Sequence, residues 1–374
     1  MRIGIDLIWL VPRLGGGMDS HVRGLLNGLA AIDSENQYDL YTTQANHDSF
    51  EGLPNNFRRV LFRGVNQSLA SRLFSEQVTL GWQLNRHRLD VLHSPGFTMP
   101  LLTPVPRVFT VHDLKVYALP DIYPMGRRIL RKYFVKGAIR RADAIICVSN
   151  FTRQEIVKRF GVAEHSISVV YNAVDVRPPV LNDCWPELAE RLRIRAEYIV
   201  AFSAPEAHKN IAALLKAVAR PGVAEHMQLV VVGHLPKDPQ PLTSLADSLG
   251  VGTRIVFTGY LSESDRALVL VHAKALACPS LYEGFGIVLL EAMNADVPIA
   301  CAEVTALPEV AGQAALFFNP LSVDDIASAL QRLLADESLR QRLIVAGRKR
   351  ARDFSWERSA RQTRKVYERV YHAK

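Results

Sequence analysis

No stretch of this 374-residue chain approaches the ~18 consecutive apolar residues that a membrane-spanning helix needs. Cysteine is scarce: Cys147, Cys184, Cys278 and Cys301 are scattered, without C-x-x-C spacing and without histidines nearby. That argues against a disulfide framework or a zinc site, and three of the four fall in apolar strand-like runs where buried thiols are expected. No D-x-D pair occurs, so a divalent-metal clamp is not indicated. Short-period repeats and low-complexity segments are missing as well. The opening IGIDLIWLVP follows Arg2 but leads into Arg13 and three glycines instead of a small-residue cleavage site. It is therefore expected to be a first strand and not a signal peptide, with the protein remaining in the cytoplasm.

What is present is ordinary globular composition, 48% hydrophobic and 22% charged, at a length that suggests two domains. The net charge of +8 is unevenly placed: residues 1–180 carry 22 Lys/Arg against 15 Asp/Glu, and the remainder 23 against 22. Much of the excess lies in the helical stretch Gly126 to Arg141, where seven cations interleave with Ile129, Leu130, Tyr133, Phe134 and Ile139. A positive field there favours an anionic small molecule or an anionic membrane surface; the pattern gives no reason to expect nucleic acid. A core-packed helix with a solvated basic face fits it equally well.

Along the chain, strand-like and helix-like segments alternate, which implies parallel strands with crossover helices. In the first half the strands are Ile3–Leu10, Tyr38–Thr43, Arg58–Phe62, Val91–His93, Arg107–Val111, Ala144–Val148 and Ile167–Tyr171. Helices are expected at Ser20–Ala31, Leu69–Asn85, after Pro124 and from Thr152. The Pro-, Asn- and Asp-rich region 177–186 breaks the rhythm and reads as a linker. It restarts with strands Tyr198–Phe202, Gln228–Val232, Ile255–Phe257, Ala275–Cys278 and Pro298–Cys301, and helices run from Val323 to the end. The expected architecture is α/β: two doubly wound Rossmann-like domains, 1–180 and 187–355, facing a cleft, with ligands at the carboxyl ends of the strands.

The most informative stretch is Pro279 to Met293, PSLYEGFGIVLLEAM. A strand, a glycine turn at Gly284 and Gly286, and a helix from Ile287 place Glu283 on the loop and Glu291 in the helix. The rise from Gly286 to Glu291 is about 7 Å at the helical repeat. Between the two acids lie the first amides of the helix, at Gly286, Ile287 and Val288, which suit an anion such as phosphate. A ligand with an anionic middle and hydroxyl-rich ends, such as a nucleotide sugar, has the matching shape. Taken alone, the pattern also fits an acid favoured by the helix dipole and a solvated helix position.

Two glutamates separated by seven residues around G-F-G and followed by E-A-M resemble the donor-binding motif of the retaining glycosyltransferases of family four, which have the GT-B fold. The resemblance implies that Glu283 contacts the transferred sugar and that Glu291 holds the ribose hydroxyls, with Gly284, Phe285, Gly286, Ile287 and Val288 around the donor. Other stretches carry the same likeness. Gly16 and Gly17, in G-G-x-x-S-H-V after the first strand, match the family's glycine loop at the donor diphosphate. A nicotinamide site is discounted there, because Ser20 replaces the third glycine of the dinucleotide pattern and no acid ends the second strand. His112, in T-V-H-D-L, matches a histidine beside the anomeric carbon and the attacking hydroxyl. Ser149–Asn150 and Asn172–Asp175 echo further landmarks, although an N-cap and a turn explain them as well.

In APEAHKN, Lys209 is expected to neutralise the leaving diphosphate, since the dipole makes a cation at a helix start unfavourable until an anion arrives. The family usually pairs this lysine with an arginine, and Ser203 and His208 stand at those places. Tyr260 and Leu261, in F-T-G-Y-L, match the loop whose backbone recognises the base. The resemblance thus implies a metal-independent enzyme without a cofactor, transferring a hexose from a GDP- or UDP-sugar to a glycan or glycolipid. Mannose is the slight preference, and an anionic acceptor or a peripheral contact at the inner membrane face is a further expectation. A GT-B epimerase or hydrolase, or a silent nucleotide-sugar binding protein, is the alternative. By the same analogy helix 356–374 returns to the first domain.

Overall fold

The structure, a computed structural model, describes residues 1–11, 16–62, 68–84, 88–174, 184–236 and 238–373, apart from the side chains of Leu69, Ala70 and Gln83. Gly15 of the glycine triplet, Asp175 and residues 177–183 of the expected linker lie outside the described residues. The linker is shorter than its composition suggests at its far end, because Trp185 and Pro186 already open the helix Trp185–Leu192. Proline is tolerated there since the first helical amides have no carbonyl to bond.

The chain divides into two units, one of Met1–Asp175 with Phe354–Lys374 and one of Val176–Asp353. The first contains a parallel sheet of β1 (Arg2–Asp6), β2 (Gln37–Thr43), β3 (Phe57–Phe62), β4 (Val91–Ser94), β5 (Arg107–Val111), β6 (Ala144–Cys147) and β7 (Ile167–Val169), in the order 3-2-1-4-5-6-7. The second contains β8 (Tyr198–Phe202), β9 (Gln228–Val232), β10 (Ile255–Gly259), β11 (Ala275–Cys278), β12 (Ile299–Ala302) and β13 (Ala315–Phe318), in the order 10-9-8-11-12-13. Strand order reverses between β1 and β4 in one sheet and between β8 and β11 in the other. At such switch points adjacent crossovers leave on opposite faces, and a crevice opens at the carboxyl ends.

Both faces of each sheet are covered, so the central strands are apolar throughout instead of alternating. In β6, Ala144 and Ile146 join the core beneath the helix Gly17–Ile32, while Ile145 and Cys147 join the one beneath the helix Met125–Arg141. Cys147, Cys278 and Cys301 are buried, Cys184 is exposed, and none forms a disulfide. Two elements differ from the sequence reading. The expected helix Leu69–Asn85 is α-helical over Leu69–Phe74 and Gly81–Leu84 with a π-helical turn, Ser75–Leu80, between them. The short strand β13, ALFF, lies between the last expected strand and the helices expected from Val323, where no strand was expected because four apolar residues carry no periodicity of their own.

The terminal helix Trp356–His372 belongs to the first unit, where it packs against Gly17–Ile32. Two glycines one turn apart make the approach possible. A Cβ on Gly24 would lie 1.9 Å from the Trp356 ring, and one on Gly28 would lie 2.5 Å from the Trp356 carbonyl oxygen.

Candidate active site

At the switch point of the second sheet, the loops after β8 and β11 are joined by three bonds. The Leu281 amide donates to the His208 carbonyl at 2.8 Å, and Asn210 Nδ2 donates to the Pro279 carbonyl at 3.2 Å and, outside these two loops, to that of Pro320 after β13 at 2.8 Å. Asn210 sits in left-handed conformation at φ 56°, which asparagine tolerates better than other side chains, and it ends the turn that carries Lys209. The third bond runs from Lys209 Nζ to Glu283 Oε1 at 2.7 Å. This corrects the sequence reading: the anion facing Lys209 is already supplied by the chain.

Burial alone would lower the Lys209 pKa, but the Glu283 carboxylate outweighs it and leaves the ammonium above its usual value. Burial would likewise raise Glu283; the charge and hydrogen bond of Lys209, with His208 adding to them, hold it below the usual carboxylate range. Both groups are therefore charged at neutral pH. The Glu283 amide donates to Thr305 Oγ1 at 3.1 Å, which fixes the loop from the other side. His208 is buried, so its ring reaches the site through Glu283 instead of lying open at the surface.

Helix Ile287–Asn294 begins at Gly286, with φ 93° and no capping side chain. A Cβ at Gly286 would lie 2.7 Å from Leu307 Cδ2, so both conformation and space require glycine. The opening amides at Ile287 and Val288 are thus left without a side-chain acceptor. Glu291, one turn further, receives both arms of Arg266, at 2.8 Å and 2.6 Å. The fork leaves the outer lone pairs of the carboxylate for hydroxyl donors. Sequence reasoning missed Arg266, since a lone arginine in SESDRALVL has no motif; its guanidinium also lies over the Phe202 ring, 5.6 Å from the centroid. Tyr260 is half exposed and stacks on His234 at 5.3 Å, whereas Leu261 beside it is buried. Ser203 lies at the end of β8, and a Cβ on Gly233 would come within 2.5 Å of its carbonyl oxygen.

In the first unit the equivalent edge gathers three imidazoles. His112, after β5, donates from Nε2 to the Pro95 carbonyl at 2.8 Å, leaving Nδ1 as the acceptor. Burial lowers its pKa, so it is neutral at pH 7. Asp113 caps the next turn through the Lys115 amide, 2.9 Å, which is a structural use of the H-D pair. Edge-on to His112 at 4.6 Å stands His21 of the G-G-x-x-S-H-V motif, its Nδ1 2.7 Å from Asn172 Oδ1. Asn172 thus does more than shape a turn, while Ser149 does cap its helix, accepting from the Thr152 amide at 3.0 Å. Behind them His93 bonds Tyr367 (2.7 Å) and Thr110 (2.8 Å), and burial followed by the His112 charge brings its pKa down to about 3. Gly16 and Gly17 open the helix that carries His21; Gly16 has φ 49° with nothing within 4 Å of its Cβ position. His21 and His93 were not singled out as site residues from sequence, because isolated polar residues in strands and helices look structural; Asn172 was noted only as a landmark after a strand that a turn also explains.

Asp6, at the end of β1, was missed too. Burial pushes its pKa up to about 7, and burial next to Asp6 raises Glu76 well above the usual range. An acid held neutral in the fold stabilises it below pH ~4 and loses that contribution as pH rises to the folded pKa, over at most about 4 kcal/mol. His21 and His93, with depressed pKa values, act with the opposite sign. The test is therefore a difference: Asp6→Asn is expected to gain stability over wild type as pH rises from 5 to 8 in urea titrations. A difference independent of pH would show that Asp6 is ionised in the fold.

Among the described residues, no group of three or more His, Cys, Asp or Glu could hold a metal ion. Two parallel-sheet units of this strand order are the GT-B arrangement, and solved structures agree. A structure of HepE from Anabaena in complex with UDP-glucose superimposes with a TM-score of 0.77 at 17% identity, covering 98% of this chain and 99% of that one. Residues 15–177 match the model described as Glycosyltransferase Family 4, and residues 189–350 match Glycosyl transferases group 1. O-antigen chain mannosyltransferase B of Escherichia coli is 31% identical over 293 residues, 76% of each chain. The serotype-specific mannosyltransferase WbdA of Escherichia coli is 28% identical over 280 residues, 72% of this chain, which spans 34% of that protein. The chain belongs to glycosyltransferase family four and is a glycosyltransferase.

Proposed function

We propose that this enzyme moves a hexose, with mannose preferred, from a nucleoside diphosphate sugar to a hydroxyl of a growing glycan or glycolipid. It does so with retention at the anomeric carbon and without a metal or cofactor. The observation that carries the reading is the pairing of Lys209 with Glu283 at the switch point of the second sheet, Glu283 being in the loop that leads into the uncapped amides at Gly286. The preference for mannose rests on relatives that are named mannosyltransferases, and GDP-mannose is accordingly the favoured donor.

In this reading the diphosphate lies over the amides of Ile287 and Val288 and shares Lys209 with Glu283. The base sits by Tyr260 and Leu261, and Glu291, held by Arg266, accepts from the ribose hydroxyls. Ser203, Gly284 and Phe285 line the donor in the second unit; in the first, Gly16 and Gly17 form the glycine loop for the diphosphate, and His112 serves with Glu283 to orient the transferred sugar. The bond from the anomeric carbon to the diphosphate oxygen breaks as the bond to the acceptor oxygen forms on the same face. The acceptor proton passes to a donor phosphate oxygen. Lys209 and the helix amides stabilise the charge that develops.

A thermal-shift series across nucleotide sugars tests the donor, since a ligand at ~100 times its dissociation constant adds about 2.7 kcal/mol. GDP-mannose is expected to stabilise most, and turnover with it is expected to survive chelator and to give a retained anomer by NMR. Stabilisation by no nucleotide sugar, or an inverted product, would refute the reading; release of free sugar without transfer would favour the hydrolase. Glu291→Ala is expected to raise the donor KM at least tenfold with kcat within about threefold, because ribose contacts act alike in ground and transition states. Collapsed kcat at unchanged KM would move Glu291 to the reacting end of the donor.

A further inference from the structure

We propose that the first unit carries a docking surface for an anionic phospholipid bilayer, built from Phe74, Val78 and Trp82, the Leu102 tip and the basic helix Met125–Arg141. In the segment Leu69–Leu84 the inward positions Glu76, Leu80 and Leu84 are buried, while Phe74, Val78 and Trp82, four residues apart, are 52–63% exposed. The helix Met125–Arg141 repeats the arrangement. Val135, Ala138 and Ile139 are buried, and Met125, Ile129 and Tyr133, again four apart, are 61–69% exposed.

The loop bearing Leu102, 78% exposed, fastens the two segments together. Gln77 donates to the Met99 carbonyl at 2.9 Å and accepts from the Leu101 amide at 3.0 Å. Leu101 lies against Gly137, whose Cβ position is 3.1 Å from Leu101 Cδ1, and the Arg131 guanidinium covers Phe97 at 4.6 Å. Arg127 is also close enough to Arg72 to add to the burial that lowers the pKa of Arg72. The exposed apolar residues therefore belong to one neighbourhood.

Charge identifies the occupant. The helix Met125–Arg141 holds Arg127, Arg128, Arg131, Lys132, Lys136, Arg140 and Arg141 and no carboxylate. Outside it, only Asp121 forms an ion pair with it among the described residues, through Arg128 at 3.4 Å. A solvated basic face has no use for seven large exposed apolar side chains, and a dissolved anion leaves them wet. The headgroup boundary of an anionic bilayer takes both, cations against phosphates and apolar tips against the acyl boundary.

Flotation of the full chain tests this without requiring turnover, so its failure leaves the transferase reading standing. Binding is expected to vesicles of phosphatidylglycerol and phosphatidylethanolamine at low salt, with weak binding to phosphatidylcholine. Each of R127Q, K136Q and R140Q is expected to weaken partitioning about fivefold. F74S and I129S, at exposed positions, are expected to weaken it about tenfold each while thermal stability and turnover on a water-soluble acceptor are retained. Equal flotation with both vesicle types, or none at low salt, would overturn the proposal. Loss with the charge variants but not with the serine variants would overturn it as well, and would point to a dissolved anionic partner.

Discussion

Replacing Lys209 by alanine is expected to lower kcat by ~10²–10³, the loss seen when one preorganised charge at a developing anion is removed. The same change leaves Glu283 without the partner that keeps it ionised at 2.7 Å. Stability is expected to fall by roughly 1–3 kcal/mol, less than for a fully enclosed pair because the side chains keep 19% and 16% of their exposure. The two effects separate in a cycle with Glu283→Gln. The double variant is expected to recover most of the stability, since no lone charge remains, but none of the turnover. Recovery of turnover in the double variant would mean that Lys209 serves only to neutralise Glu283. Near-normal turnover in Lys209→Ala would remove it from the reaction altogether.

That pair also shows where sequence reasoning stops. Glu283, Gly286 and Lys209 were legible because each follows a strand, and a strand followed by a glycine turn and an apolar helix pattern fixes local geometry. The pairing of Lys209 with Glu283 was not, because 74 residues separate them and only the β8–β11 adjacency brings their loops together. The same holds for Arg266 on Glu291 and for Asn172 on His21, where no local period or spacing encodes the partner. The alternation of strands and helices was readable from apolar runs, yet most strand ends moved by one or two residues, as at Ile255–Gly259, and the first strand, expected to run to Leu10, ends at Asp6. The π-helical turn at Ser75–Leu80 was hidden because an extra residue in a helix leaves the apolar pattern almost intact over one turn. Glu76 gave no warning either, since a glutamate in a helix reads as solvated until its burial is seen.

Gly28→Ala is expected to destabilise the first unit strongly for a single added methyl. The new Cβ would lie 2.5 Å from the carbonyl oxygen and 2.8 Å from the carbonyl carbon of Trp356, backbone atoms that no rotamer change can move. The terminal helix must shift or tilt, a cost of about 1–3 kcal/mol. At that size of unit, the apparent melting temperature should drop by roughly 2–4 °C for each kcal/mol. The displacement reaches the imidazole cluster directly. Trp356 lies edge-on to His21 at 6.0 Å, Ser359 Oγ donates to the Tyr171 carbonyl at 2.6 Å, and Tyr367 bonds His93 at 2.7 Å. Turnover should therefore fall along with stability, while the thermal shift given by a nucleotide sugar persists, because Lys209, Glu283 and Glu291 belong to the other unit. Gly126→Ala is the matched control: nothing lies within 4 Å of its Cβ position in an exposed helix, so it should stabilise by up to about 1 kcal/mol. If Gly28→Ala behaved like Gly126→Ala, the terminal helix would have to pack on Gly17–Ile32 more loosely than the 2.5 Å approach allows.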